Sequence, residues 1–456
     1  MCFGMALKNN EQNQGELMKK TVFLLLFVPV FLFGQTTKIT LEEALKIVQQ
    51  NNRTLQQARL SLAQSEKEIK IQRSNYLPSV QFGHKTSYVS EIAQISLPFS
   101  LPGIGTPQIE AGVKDQFDYN ISLTQPLFTG FRTKNLVKSA IAQKELQSAS
   151  LQAVQNKLFL QTGHLYCGIQ VLGLQRDILQ KGVERTEAHL QILRNMLQAK
   201  QIAAYDTLEA ASRKLQMQTQ QQNLMRMEQI QLSKFELILN ASAPINLQKI
   251  TTETAAFTAP ESRDDFLRAA LENRPELEQL RKSITAGNYG VKAIESVYWP
   301  QVFAAAAYHY ARPGVNFFQN EWMDYYTLGL QLQWTLWNGG RERKKAEKTR
   351  LDIEKVQLQF TDTEKAIRQQ VEEAMLQLQN AQEQITLQQL LVAQAQERAR
   401  VVSELYSQSQ VGSLEVDDAE MALTQAELQL QSAKIEWFVQ SLNMDYVTGM
   451  IGQNIK

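Results

Sequence analysis

Four histidines, His84, His164, His189 and His309, are the side chains most able to hold a metal or move a proton, with Cys167 beside them as a potential nucleophile. They lie in separate segments, and no two histidines share the helical spacing that aims two ligands at one ion. Cys167 falls within a helical pattern and reads as a small packing residue. The only other cysteine, Cys2, precedes an export signal, so a disulfide framework is excluded. Gly339-Gly340 stands where a strand pattern passes into a helix and does not form a phosphate-cradling loop. Arg341, Arg343, Lys344 and Lys345 could meet lipid phosphates or a substrate, although such a run also suits a solvated helix start near a membrane boundary. No set of residues converges on acid–base or covalent catalysis, so the chain is read as a non-enzyme without cofactor or metal.

The elements that carry these residues follow from composition. Among 456 residues, 47 basic and 46 acidic side chains leave a net charge of +1, which offers no concentrated basic face for nucleic acid. Gln is abundant, while Gly and Pro are sparse, which favours long helices with wet faces. Met18-Lys19-Lys20, the apolar run Thr21 to Phe33 and the small residue Gly34 have the form of an export signal, with residues 1–17 as an upstream extension. No cysteine directly follows the apolar run, which argues against a lipid anchor. Past residue 34 no stretch approaches eighteen apolar residues, so any membrane span must be β-barrel.

The chain is written twice. Asn75-Tyr76-Leu77-Pro78-Ser79-Val80 recurs as Val297-Tyr298-Trp299-Pro300-Gln301-Val302 at an offset of 222, which also superposes Leu45, Asn51 and Leu55 on Leu267, Asn273 and Leu277. Pro126 to Arg132 recurs as Thr335 to Arg341 at an offset of 209, and Asp206 to Ala210 recurs as Glu415 to Ala419 at the same offset. The difference of 13 residues belongs to a loop between the matched strands. Each copy reads helix, two strands, very long helix, turn, shorter helix. The resulting boundaries are residues 1–34 for the extension and signal, 35–240 for the first repeat, 241–262 for a polar linker and 263–456 for the second repeat.

In the first copy, Thr40 caps a helix predicted to run to Asn75, which Pro78 closes. Val80, Phe82, Thr86 and Tyr88 then alternate with polar or small residues, and after a Gly/Pro loop (Leu97 to Gly112) Phe117, Tyr119, Ile121 and Leu123 do the same. The second copy answers with Val302 to Tyr310 and Tyr326 to Trp334. Ten-residue alternation suits strands with one face in lipid and one in water. Tyr76, Phe128, Tyr298, Trp299 and Trp337 gather at the helix-proximal ends, with Tyr88, Phe117, Tyr308, Tyr310 and Tyr326 towards the others, as in an aromatic girdle.

Between Arg341 and Val411 there is neither Gly nor Pro. Val371, Ala374, Leu378, Ala381, Ile385, Val392, Ala395, Ala399, Val402 and Tyr406 form a coiled-coil seam interrupted by Gln388. A helix of roughly 67 residues is about 100 Å long. Its counterpart, Arg132 to Gln198, contains Gly163, Gly168, Gly173 and Gly182, which suit either curvature or close packing. Four strands cannot close a membrane barrel, since about eight is the minimum, so other subunits must complete it.

This plan resembles the TolC-like outer-membrane efflux proteins. The resemblance covers nearly all of residues 39–450 and rests on Leu41-Glu42-Glu43-Ala44-Leu45 with Asn51, Asn52 and Leu55; Tyr76-Leu77-Pro78; Phe128-Thr129-Gly130; Trp337-Asn338-Gly339-Gly340; and Glu415-Val416-Asp417-Asp418-Ala419. It implies a mainly helical fold with transmembrane β-structure: a homotrimer whose twelve-stranded barrel continues as a periplasmic tube of twelve helices. Residues 241–262 would be equatorial. The implied role is the exit duct of a tripartite efflux or type I secretion system, working with a periplasmic adaptor (a membrane fusion protein) and an inner-membrane RND or ABC transporter. Adaptor contacts would fall at the tips, on Lys200, Gln201, Ile202, Ser409, Val411, Gly412 and Ser413. Lys200 and Ser409 stand where the family often has Gly. Glu415, Asp417 and Asp418 would form an acidic ring at the periplasmic entrance, favouring cations, although acids also suit the first turn of a helix. The competing reading is a structural coiled-coil or adhesin-like outer-membrane protein without transport.

Overall fold

The computed structural model describes residues 38–96, 98, 108–241, 245–249 and 262–452. The export signal and most of the linker lie outside them. The first repeat opens on α1 (Leu41–Asn51), where Thr40 accepts from Glu43 N–H and the Glu43 carboxylate accepts from Thr40 N–H, a reciprocal capping box. The helix predicted to run unbroken to Asn75 is two helices. Asn52 leaves helical geometry, accepts from Thr54 and Leu55 N–H, and so starts α2 (Arg53–Ser74). Its amide also donates to the Ile238 carbonyl at 2.8 Å, which fixes the bend against another helix.

The strands follow. β2 (Ser79–Tyr88), β5 (Asp115–Phe128), β7 (Gln301–Arg312) and β8 (Met323–Gln333) form one antiparallel sheet in the order β2-β5-β7-β8. The end of the Gly/Pro loop is structured: within it β4 (Gln108–Ala111) pairs antiparallel with β3 (Ala93–Ser96), which precedes the loop. Register places Val80, Leu123, Ala306 and Leu328 in one cross-strand row and Phe82, Ile121, Tyr308 and Tyr326 in the next. Gln81, Ser122, Ala307 and Thr327 form a row on the opposite face. The apolar rows are open, with Phe82 72% and Leu330 76% exposed. A sheet that turns its apolar side outward and its polar side inward suits lipid on one face and water on the other.

Both copies pass from strand to helix through two residues in the left-handed region. Gly130 and Phe131 (φ 61° and 67°) start α3 (Arg132–Gln198), and Gly339 and Gly340 (φ 68° and 74°) start α7 (Arg341–Ser407). A side chain on Gly130 would meet the Ser296 carbonyl at 2.6 Å, so close approach as well as φ demands glycine there. Each long helix has 67 residues. α3 packs against α2 and α6 (Pro275–Glu295) in its upper half, and against α4 (Ala204–Leu239) and α8 (Ser413–Val447) in its lower half. α7 packs on α5 (Arg263–Asn273), α6 and α8. Its buried residues include Val371, Ala374, Leu378, Ala381, Ile385, Val392 and Ala399, members of the seam read from the sequence.

Where the short helices hand over, each long helix carries a core. One gathers Leu55, Leu158, Phe159, Tyr166 and Phe235, closed over by β1 (Lys38–Ile39) pairing with β6 (Asn246–Leu247). The other gathers Leu277, Ile367, Val371 and Met444. Leu55 and Leu277 occupy matching positions of the duplication, as do Leu158 and Ile367, and Phe235 and Met444. Of the α3 glycines, Gly163 sits where a Cβ would lie 2.7 Å from Leu442 Cδ1, and Gly182 where it would lie 3.2 Å from Thr424 Oγ1. Close packing explains these two. Cys167 is buried, and that burial pushes its thiol up to about 12, which makes it inert.

Candidate functional site

The far ends of the long helices form two tips. After α3, Lys200 N–H bonds the Leu197 carbonyl and Gln201 N–H the Met196 carbonyl, each at 2.9 Å. After α7, Ser409 N–H bonds Tyr406 and Gln410 N–H bonds Leu405, again at 2.9 Å. Both are Schellman closures, and both place a non-glycine residue in the left-handed region: Lys200 at φ 55° and Ser409 at φ 59°. These are the two positions at which the sequence substitutes for a turn glycine. Lys200, Gln201, Ser409 and Gly412 are exposed; Ile202, Val411 and Ser413 are half-buried. Ile202 packs with Leu190, Leu193, Ala210 and the α7 residue Tyr406. Ser413 Oγ donates to Asp206 Oδ1 at 3.2 Å, so the two tips are bonded to each other.

One turn further in, the tip is tied by charge. Glu415 and Asp418 are exposed, whereas Asp417 is 5% exposed and faces α3 and α4. Of the three acids read as an entrance ring, Asp417 is thus buried within the protomer and Glu415 and Asp418 are open. Arg213 on α4 gathers three carboxylates: Glu209 at 3.1 Å, Asp418 at 3.0 Å and Asp417 at 3.9 Å. His189 Nε2 stands 3.8 Å from Asp417, too far for a hydrogen bond, and its ring packs edge-on against Tyr406. Above them Arg185 meets Glu420 at 2.7 Å and Glu427 at 3.3 Å.

Burial pushes the Asp417 carboxyl up to about 6; Arg213 opposes this, while Glu209 and Asp418 reinforce it. Burial pushes His189 below the ordinary histidine range against the pull of Glu420. The site thus sets an imidazole held towards its neutral form beside a buried carboxyl that shares one guanidinium with Glu209 and Asp418. Such a cluster stores charge inside a helix bundle and links α3, α4 and α8. Sequence reasoning named Asp417 and, without placing it at the tip, His189, but missed Arg213 and Arg185. The burial of Asp417 was legible in the helical spacing of Val416, Ala419 and Leu423, which puts it near a buried stripe. Tyr205 and Leu208 on α4 were missed as well; both are large, apolar and open.

At the other end, Tyr76, Tyr298, Trp299 and Trp337 are exposed near the sheet's lower rim, Trp337 at 85%. Phe128 is half-buried and meets Phe131 edge-on at 5.2 Å, which in turn meets Trp299 at 5.9 Å. Phe131 and Trp334 belong to this row and were not singled out from the sequence. In the upper band Tyr310 stacks on Trp322 at 4.7 Å. Arg341, Arg343, Lys344 and Lys345 are each paired to Glu342 or Glu347, which fits a solvated helix start. No helix among the described residues is long and apolar enough to cross a membrane, and no metal-holding cluster occurs among them.

A family model described as outer membrane efflux protein matches residues 44–241 and 266–449. The chain is similar to the toluene efflux pump outer membrane protein TtgF of Pseudomonas putida, 22% identical over 56% of this chain; it spans 51% of TtgF's length, about half. It is also similar to the alkaline protease secretion protein AprF of Pseudomonas aeruginosa, 20% identical over 74% of this chain and 71% of AprF. Among solved structures, the open state of the Neisseria gonorrhoeae MtrE outer membrane channel superposes with a TM-score of 0.73 at 15% identity, covering 90% of this chain and 89% of that one.

Proposed function

Because the chain belongs to the outer membrane efflux protein family, we propose that it is the outer-membrane exit duct of a tripartite efflux or type I secretion system. One observation carries this reading: a four-stranded sheet with one exposed apolar face and one polar face is joined directly to two helices of 67 residues. At about 1.5 Å per residue each helix reaches about 100 Å, enough to continue an aqueous passage far into the periplasm. Three copies give a twelve-stranded barrel, above the minimum that four strands miss. The export step is passive, and the polar sheet face serves small molecules and unfolded protein alike. TtgF and AprF, by name, divide between those two cargoes.

An inner-membrane RND or ABC transporter supplies the energy, through a periplasmic adaptor that docks on the tips. The support for docking there is the pairing of exposed turn residues with open Tyr205, Leu208 and Leu414 beside them. Glu415 and Asp418, repeated three times about an axis, form the entrance ring and favour cations. The upper and lower aromatic rows seat the barrel in the membrane, against outer-membrane lipid.

Planar-bilayer recording of the purified full-length protein tests this. The expected result is a small cation-preferring conductance that loses its preference in Glu415→Gln with Asp418→Asn. The double variant also releases Arg213 from Asp418, so open time should rise. Silence from both proteins would sink the duct reading, and unchanged selectivity would return the two acids to helix capping.

A further inference from the structure

Below the aromatic row, α3 and α6 line an open groove of about 460 Å³ whose walls include Phe131, Trp299, Tyr289, Lys134, Lys138 and Lys292. Lys134 Nζ lies 5.9 Å from the Phe131 ring centroid. Lys138 and Lys292 lie 5.3 and 5.5 Å from the centroid of the same Tyr289 ring. None of the three lysines pairs with a carboxylate among the described residues. The nearby basic run at Arg341–Lys345 differs in that each of its cations has a glutamate. Glu295, the carboxylate in the groove wall, is already held by Arg350. The groove also faces the first turns of α3, whose cap residue Phe131 supplies no side-chain acceptor. Three ammonium groups and the positive end of a long helix therefore converge on one space with no free counter-charge. Two cations sharing one ring repel each other, and an anion between them relieves that repulsion.

The walls identify what carries the anion. Phe131 continues through Phe128 to Val302 on the apolar, outward face of the sheet, and Trp299 stands exposed beside it. A ligand seated here has its charge among lysines and an apolar surface directly above. We propose that this pocket binds the phosphate group of a phospholipid of the periplasmic leaflet, with its acyl chains lying along Val302 and the open strand rows. The inference rests on the outer-membrane reading above and adds to it a defined lipid site.

The test uses full-length protein purified in mild detergent, with phosphatidylglycerol added and retained lipid counted by native mass spectrometry. Lys134→Gln, Lys138→Gln and Lys292→Gln together should reduce retention at least about ten-fold, because each removes a cation facing the charged headgroup. Lys138→Gln alone should give an intermediate loss, which guards against a misfolded triple variant. Lys344→Gln with Lys345→Gln, in the paired run, should retain lipid like the parent. Inorganic phosphate at about 10 mM should not displace the lipid, because it lacks the apolar part. Equal retention by parent and triple variant overturns the site, and displacement by inorganic phosphate as complete as the triple substitution overturns its assignment to a lipid. Conductance recorded on the parent separates the two readings: current from a parent that retains no lipid overturns only this site, and absence of both in the parent overturns the duct.

Discussion

α3 and α7 have the same length and the same start within the duplication, yet the protomer uses them in opposite ways. α3 is flanked on both sides, by α2 and α6 above and by α4 and α8 below. α7 has its packed neighbours α5, α6 and α8 and leaves Leu351, Leu358, Leu376 and Leu390 open. Positions matched by the 209-residue offset make the contrast local. Cys167 is 1% exposed and its counterpart Leu376 is 61% exposed. Buried Gly182 corresponds to exposed Leu391, and Gly163, pressed against Leu442, corresponds to exposed Glu372. Burial along a long helix is thus decided by its place among neighbours, and its own repeat decides only which stripe is available. Leu351, Leu358, Leu376 and Leu390 thus leave an open apolar stripe on α7, the face that the proposed trimer would cover.

The sharpest way to break this contrast is to overfill α3. Gly163→Val adds a branched side chain into a space already 2.7 Å from Leu442 and should cost about 3 kcal/mol, seen as a lowered midpoint of thermal unfolding. The matched change Glu372→Val on exposed α7 should stay within about 0.5 kcal/mol. Equal losses at both positions would remove the distinction.

The second test is the buried charge that α3 faces and α7 lacks, since Arg398, the counterpart of His189, is exposed. Asp417 has a folded pKa near 6 and an ordinary value of 3.8. A raised carboxyl binds its proton more tightly in the folded chain, so its stabilisation is complete below the unfolded value and is lost as pH rises through 6. The α3–α8 contact should therefore tighten between pH 7 and pH 4 by on the order of 2 kcal/mol. Amide exchange along the first turns of α8 reads this, and Asp417→Asn, which does not titrate, should abolish the slope specific to this site. A parent slope identical to that of the variant would show that Asp417 titrates normally.

Smaller effects sharpen the same comparison. Leu376→Gln should leave helical content unchanged and weaken assembly by about 1 kcal/mol per copy, measured as the oligomer fraction against concentration. Cys167→Ala should cost no more than about 1 kcal/mol, and the native thiol should resist alkylation at pH 8 until the chain unfolds. Rapid labelling of folded protein would place Cys167 at a surface.

The long-range plan was legible because it is written in periodicity. Absence of proline defined Arg132 to Gln198, absence of both glycine and proline defined the helix beginning at Arg341, and alternation defined the four long strands. What escaped depended on single contacts. The break at Asn52 needed the knowledge that its amide reaches the Ile238 carbonyl, since Asn within a helical pattern is otherwise tolerated. The β3–β4 hairpin is four residues on each side, too short for alternation to rise above a loop's background. The acids of α8 were visible as a cluster, but a cluster has no direction. The buried stripe of Val416, Ala419 and Leu423 sets Asp417 inward and leaves Asp418 at the surface, whereas the partners Arg213 and His189, distant in sequence, were not legible.

The sheet ends in two unfinished edges, for β2 bonds only β5 and β8 only β7. This gives the two halves of the chain different reaction orders. Seams, caps and handover cores close within one molecule, so the helices can form at a rate independent of abundance. In the proposed trimer the edges close only on meeting other copies, so the rate of sheet completion rises with their concentration. Newly exported chains should accordingly pass through a helical stage with the strands still open, and its lifetime should shorten as expression rises.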